Sequence, residues 1–320
     1  MIVKYPVYYK EFKCIADKCP DTCCSGWQVV VDFETAESYN SLDTDFGRKI
    51  QSFMYNDNEG DIVFKNINNR CPFLNSSNLC DIYINIGESS LCNTCKKFPR
   101  FSTMFGGTEE KGLSLSCPVA AELIINNSNT ELLQEVNDEF PDINDIDADL
   151  YLNLKTARDK IFAYINSKKV TNEMLLKLLS YGKTIQNLAD NNLYEDMGRV
   201  EIEDCGDFDF TIDYHSLFSG FEYLTESGKR LFADFNSDIE LNNRKLSNIL
   251  NYYIYRYFLK SVYDNKIFGY LAFSVFSVTA IGYVTKCTGK NISEIARIYS
   301  KEIEHSNLNF NSIIEYFNKK

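Results

Sequence analysis

The sequence predicts a mainly α-helical fold, in which a loop-rich cysteine-cluster region (residues 1–125) packs on an α-helical region (residues 126–320), with a soft boundary and one core shared between them. Three observations point there. Nine of the eleven cysteines fall between Cys14 and Cys117. Before residue 120 the chain is cut into short segments by turn residues: Pro20-Asp21, Ser25-Gly26, Asn66 to Asn69, Asn75 to Asn78 and Gly106-Gly107. Beyond it, apolar residues recur at helical spacing.

The cysteines arrive in groups: Cys14, Cys19, Cys23 and Cys24; then Cys71 and Cys80; then Cys92, Cys95 and Cys117. Thiolates that share an ion or a cluster must converge on it within about 2.3 Å, and such grouping is what that requirement leaves in a sequence. A disulfide framework fares worst, because Met1 to Tyr9 lacks the apolar stretch of a secretory leader and an odd count strands one thiol. The expected setting is therefore a reduced, cytoplasmic one. Structural zinc remains open, but adjacent Cys23 and Cys24 point in different directions, and nine thiolates exceed the four that one zinc or one cubane takes. An iron–sulfur cluster stands ahead of zinc, and a redox or purely structural role stands behind both. Cys92 is the first suspected of being spare or of serving a second site. Isolated Cys205 and Cys287 read as ordinary buried residues.

In the second region, Leu150, Leu154, Ala157, Ile161 and Ile165 step by four, three, four and four, and Leu175, Leu178 and Leu179 begin another run. Tyr252 to Asp264 reads as an aromatic amphipathic helix. Asn291, with Glu294 three residues on, resembles a capping box that opens a helix through Ile295 and Tyr299. From Ile267 to Thr285 no charge interrupts nineteen residues, which nearly reaches membrane-spanning length. Ser274, Ser277, Thr279, two glycines and two tyrosines favour a helix buried in a core instead.

Net charge is −12. Residues 1–120 carry 12 basic and 15 acidic side chains, 121–210 carry 8 and 19, and 211–320 carry 13 and 11. No basic stripe is present to neutralise phosphates, which excludes a nucleic-acid binder. The acidic runs Asp138 to Asp149 and Glu195 to Asp209 read as solvated loops or helix starts rather than a docking face.

Taken in order, the motifs are Cys14-x4-Cys19-Pro20-x2-Cys23-Cys24-x-Gly26-Trp27, Cys71-Pro72-Phe73-Leu74, Cys80-x-Ile82-Tyr83, Gly87-Glu88-x2-Leu91-Cys92-x2-Cys95-x2-Phe98-Pro99-Arg100 and Leu115-Ser116-Cys117-Pro118. This ordered set resembles the flagellin lysine-N-methylase (FliB) family, whose cysteine pattern is similar to that of a broader family of zinc- or iron-chelating proteins. The resemblance is dense over residues 8–123 and diffuse afterwards. It implies an iron–sulfur protein, with a cluster of the 4Fe-4S type, that methylates the ε-amino groups of surface lysines of flagellin with S-adenosylmethionine. From the charge distribution and the make-up of the apolar run, no nucleic-acid and no membrane partner is expected. The alternative is a non-catalytic zinc- or iron-binding protein that stores, delivers or senses metal.

No G-x-G turn of a nucleotide-binding fold occurs, and neither does the C-x3-C-x2-C run of radical S-adenosylmethionine enzymes. The cofactor would therefore be held by another route, through a cluster iron that chelates its amino and carboxylate groups. Arg100 is the candidate for a forked contact to a cofactor carboxylate, with a bracing salt bridge as the equal alternative. Trp27 is expected to shield the cluster. Asp32 reads as a turn or helix cap more than as a base. His215 and His305 read as ordinary histidines.

Overall fold

A computed structural model describes residues 1–127, 131–137, 146–206, 212–233, 235 and 240–319. Most of the acidic stretch 138–149 and the end of the second acidic run lie outside the described residues. The chain divides into two compact units. The larger holds Met1–Phe12, Ser102–Ser116 and Ala120–Lys320, and the smaller holds Lys13–Phe101 with Cys117–Val119. All nine clustered cysteines fall in the smaller unit.

Helices dominate, as the periodicity predicts. Ala148–Ser167 opens at Asp147, whose carboxylate accepts from the Leu150 N–H, and it buries Leu150, Leu154, Ala157, Ile161 and Ile165. Asn172–Asp190 buries Leu175, Leu178 and Leu179 behind a Thr171 cap. Ile292–Tyr299 starts at Asn291, whose side chain accepts from the Ser293 N–H. Glu294 does not complete a capping box there, because its carboxylate pairs with Lys290.

The apolar run forms the Ile267–Thr288 helix, long and apolar enough to cross a membrane, yet 83% of its most apolar window is buried inside the fold. It packs against Asn172–Asp190, Arg244–Tyr257 and Asn307–Asn318. Three of its hydroxyls are satisfied within the helix, while that of Thr285 is buried without a partner among the described residues. Ser274 donates to the Tyr270 carbonyl, Ser277 to Phe273 and Thr279 to Val275, at 2.7–2.9 Å. Gly182 permits the close crossing, since a Cβ there would lie 2.7 Å from Leu271 Cδ2.

Three expectations need correction. The Tyr252 to Asp264 stretch is not one amphipathic helix. Arg244–Tyr257 gives way to a 3-10 turn over Phe258–Val262, and Tyr252, Tyr253, Tyr255, Tyr257 and Phe258 are all buried. Cys287 is exposed on the last turn of its helix, whereas Cys205 is buried as expected. Finally, among the described residues there are six short strands: β1 (Ile2–Pro6), β2 (Met54–Asn56), β3 (Ile62–Phe64), β4 (Arg100–Phe105), β5 (Thr108–Leu113) and β6 (Leu132–Val136). Four of them form a sheet in the order β4-β5-β1-β6. β1 runs parallel to β5, with Ile2 opposite Thr108, and antiparallel to β6, with Ile2 opposite Val136. The partners of β1 lie more than 100 residues away and leave no local signal, whereas β2–β3 and β4–β5 are neighbours in sequence that the sequence reading took only as turn-broken segments.

In the smaller unit, β2 and β3 pair as a hairpin beside the helices Phe33–Asn40 and Asp45–Phe53. Val29, Val31, Ala36, Tyr39, Ile50, Phe64, Phe73 and Ile82 form its apolar core, against which Cys71, Cys80 and Cys95 pack. The predicted turns are turns. Gly26, Asn68, Asn69, Asn78 and Gly106 all take positive φ, between 51° and 95°.

Candidate functional site

Backbone pairing brings the cysteine groups together. The Gly26 N–H donates to the Asn69 carbonyl at 3.0 Å and the Cys71 N–H to the Cys24 carbonyl at 2.8 Å, so the first group is zipped to the second. Gly26 sits at φ 95°, which lets the chain turn there without a Cβ clash. Leu74 bridges to Cys80, and the Asn75 side chain accepts from the Ser77 and Leu79 N–H groups to close the loop between them. Cys80 then precedes the helix Asp81–Ile86, and Cys92 precedes Asn93–Lys97, which carries Cys95.

Asp32 locks that last helix in place. Its Oδ1 accepts from the Thr35 N–H and hydroxyl, capping Phe33–Asn40, while its Oδ2 accepts from the Asn93 N–H at 2.7 Å. Thr94 adds a 2.8 Å bond to the Val30 carbonyl. Both Asp32 oxygens are thus committed to positioning, as the capping reading expects. Asp32→Ala is expected to lower the unfolding free energy by about 1–2 kcal/mol, as loss of a cap does, read from the midpoint of urea denaturation.

The result is a cavity of about 40 Å³ lined by six thiols: Cys23, Cys24, Cys71, Cys80, Cys92 and Cys95. The rest of its wall is Trp27, Phe98, Tyr39, Phe64 and aliphatic side chains, with Thr94. Trp27 and Phe98 meet on this wall with ring centroids 5.4 Å apart. Cys92 is itself buried on this wall. Cys14, Cys19 and Cys117 are not part of the wall. Cys14 is exposed, Cys19 donates to the Asp21 carbonyl, and Cys117 is buried.

Burial governs the thiols. It pushes Cys71 up to about 12 and raises Cys80, each with further thiols nearby. Within the two close pairs, a hydrogen bond comes first. It holds Cys23 up and Cys24 down in one pair, and Cys95 up and Cys92 down in the other. Among the described residues no lysine, arginine or histidine lines the cavity, although Arg70 lies close enough to favour the Cys24 thiolate. Thiolates formed there thus lack a side-chain countercharge on the wall, and a metal ion or metal–sulfur cluster is the group that would supply one. The donor chemistry fits such a group, although among the described residues no three His, Cys, Asp or Glu side chains stand grouped to hold a metal ion as they are placed.

Arg100 is the first residue of β4, exposed and outside the cavity wall. His215 is exposed, and His305 Nε2 shares a 2.7 Å hydrogen bond with Ser114 Oγ. The larger unit also holds a polar group that the sequence reading did not reach. Buried Glu304 accepts from Tyr252 at 2.6 Å, Tyr257 at 2.8 Å and Arg256 at 2.8 Å. It closes Ser300–Glu304, a π-helical turn of the kind often found near functional sites.

Fold and site together define a mainly α-helical protein whose smaller unit encloses a thiol-lined apolar cavity. Among proteins of established name, the chain is 30% identical over 139 residues to a Lysine-N-methylase of Salmonella typhimurium, covering 42% of this chain and 35% of that protein. The same identity and coverage hold for a Lysine-N-methylase of Salmonella choleraesuis. The Flagellar biosynthetic protein FliU of Salmonella muenchen is 29% identical over 139 residues, covering 82% of that protein. The chain therefore spans about a third of the length of the Lysine-N-methylases it matches. No family model matches the chain, and no solved structure matches it.

Proposed function

We propose that this protein is a lysine N-methyltransferase acting on a flagellar protein, with surface lysines of flagellin as the methyl acceptors and S-adenosylmethionine as the donor. The observation that carries the reading is the similarity to proteins named Lysine-N-methylase in a chain whose cysteines line one cavity. The cavity thiols Cys23, Cys24, Cys71, Cys80, Cys92 and Cys95 are the ones that would hold an iron–sulfur cluster, or zinc in its place. With a cluster bound, the cavity would gain iron with affinity for the amino and carboxylate groups of the cofactor.

Methyl transfer breaks the sulfonium carbon–sulfur bond, forms a nitrogen–carbon bond and releases the neutral thioether. The attacking amine must be neutral, yet a free lysine titrates near 10.4, so a proton has to leave before attack. Asp32 does not take that proton, because both of its oxygens are occupied by Thr35 and Asn93. The rings of Trp27 and Phe98 cover part of the thiol cavity, which would limit the access of water to a cluster bound there.

The test is anaerobic purification followed by iron, sulfide and zinc analysis, titration with S-adenosylmethionine, and mass spectrometry of flagellin after incubation. Iron with matching sulfide, cofactor binding and a mass gain of one or more methyl groups are expected. Cys71→Ser and Cys95→Ser are expected to lose the metal, and Cys205→Ser to keep it, because Cys205 lies outside the smaller unit. Zinc alone, with no cofactor binding and no methylation, would overturn the reading and leave a metal-binding protein.

A further inference from the structure

β1 and β5 set two charged residues side by side on one face of the larger unit's sheet. Lys4 stands opposite Glu110 in the parallel register, and residues paired in this way point to the same side. The Ala148–Ser167 helix lies over that face. Its Arg158 reaches both Glu110 oxygens, and its Tyr151 shares a side-chain hydrogen bond with Thr108, two residues before Glu110. Lys155 precedes Arg158 by three residues and so lies on the same side of the helix. Its amine and that of Lys4 are close enough to share a hydrogen bond.

Three cations, Lys4, Lys155 and Arg158, thus meet one carboxylate, and that carboxylate is spent. Both Glu110 oxygens accept from Arg158, at 2.6 and 2.7 Å. Among the described residues neither lysine amine has a carboxylate partner, although the chain carries 45 acidic residues against 33 basic ones. Of the acids beside them on the sheet, Glu109 pairs with Lys111 and Glu135 with Lys10. Two ammoniums in contact repel each other unless an anion lies between them or one gives up its proton. Burial first, then Lys155, draws the Lys4 amine below its usual value, and Glu110 opposes them. Both lysines are only half-buried, so an anion can reach them from solvent.

We propose that Lys4 and Lys155 form a binding site for a small oxyanion, a phosphate or a carboxylate group, held between the two ammoniums. Each ammonium offers three donors and no acceptor, so the pair matches a group that presents two or more charged oxygens. The site rests on the sheet and the helix alone and does not depend on the methyltransferase reading.

The full-length protein is melted in inorganic phosphate and in acetate over a range of concentrations, with chloride keeping the ionic strength and buffer keeping the pH constant. A saturable rise in melting temperature with one or both anions is expected, as mass action requires of a ligand that binds the folded chain. The anion with the higher apparent affinity identifies the source, phosphate or carboxylate. Lys4→Met and Lys155→Met are each expected to weaken that affinity about tenfold or more, the worth of one charged hydrogen-bond donor. Should Lys4→Met fail to fold, Lys155→Met carries the test. A rise that persists undiminished in a folded variant is a general salt effect and overturns the proposal, as does the absence of any rise in the wild type.

Discussion

Glu110→Leu is expected to lower the unfolding free energy by about 3–5 kcal/mol, read from the denaturant midpoint, because it strands a buried guanidinium. Glu110 lies on β5 and Arg158 on the Ala148–Ser167 helix, and their side chains are 3% and 2% exposed. Arg158 Nη1 and Nη2 donate to the two carboxylate oxygens at 2.6 and 2.7 Å. This forked contact is the strongest geometry a guanidinium and a carboxylate can adopt. The cation also lies 5.7 Å from the Phe162 ring centroid and 5.6 Å from that of Tyr255, so water cannot replace the lost carboxylate. Adding Arg158→Met to the same chain is expected to restore most of the loss, since an apolar pair of similar volume costs little. A single-variant loss under about 1 kcal/mol would show that the pair is solvated.

Glu304→Gln is expected to produce a loss of similar size, about 3–5 kcal/mol, with a pH signature of its own. Glu304 is wholly buried and Arg256 is 12% exposed, with Tyr252 and Tyr257 donating to the same carboxylate. Burial by itself would raise the carboxyl, but Arg256, aided by its other partners, outweighs burial and holds it below the usual range. A carboxyl so depressed contributes stability that is fully present above its unfolded value, near 4.3, and lost as pH falls through the folded value. Between wild type and Glu304→Gln, the difference in unfolding free energy should therefore shrink as pH drops below about 4.3. A constant difference across that window would show that the carboxylate is not ionised in the fold. Lys260 supplies a second readout. Burial first, then Arg256, lowers it to about 8, and Glu304 opposes them. In the variant it should titrate lower still, by amine-selective labelling against pH.

Arg158 shows how far sequence alone reaches. Its place in the stripe of Leu154, Ala157 and Ile161 marks a charge on a buried face, which demands a partner. Nothing local identifies Glu110, 48 residues earlier, as that partner. Glu304 carries less signal, because its burial depends on a π-helical turn that periodicity does not announce.

In the cysteine region the turns were legible because glycine and asparagine are the residues that tolerate positive φ. Which thiols share a wall was not. Cys92 lines the cavity although its spacing set it apart, while Cys14, from the densest group, is exposed. Spacing reports local chain direction, whereas a shared cavity depends on backbone pairs such as Cys71 to Cys24 that close 47 residues of loop.

Helical periodicity, caps, turns and the grouping of cysteines were determined by the sequence itself, since each depends on neighbours within a few residues. The sheet that joins residues 2–6 to 108–110 and 132–136, the buried ion pairs and the membership of the thiol cavity were decided by tertiary structure alone. Their energies come from groups distant in the chain that lose water together, and no local pattern encodes which distant group will be the partner.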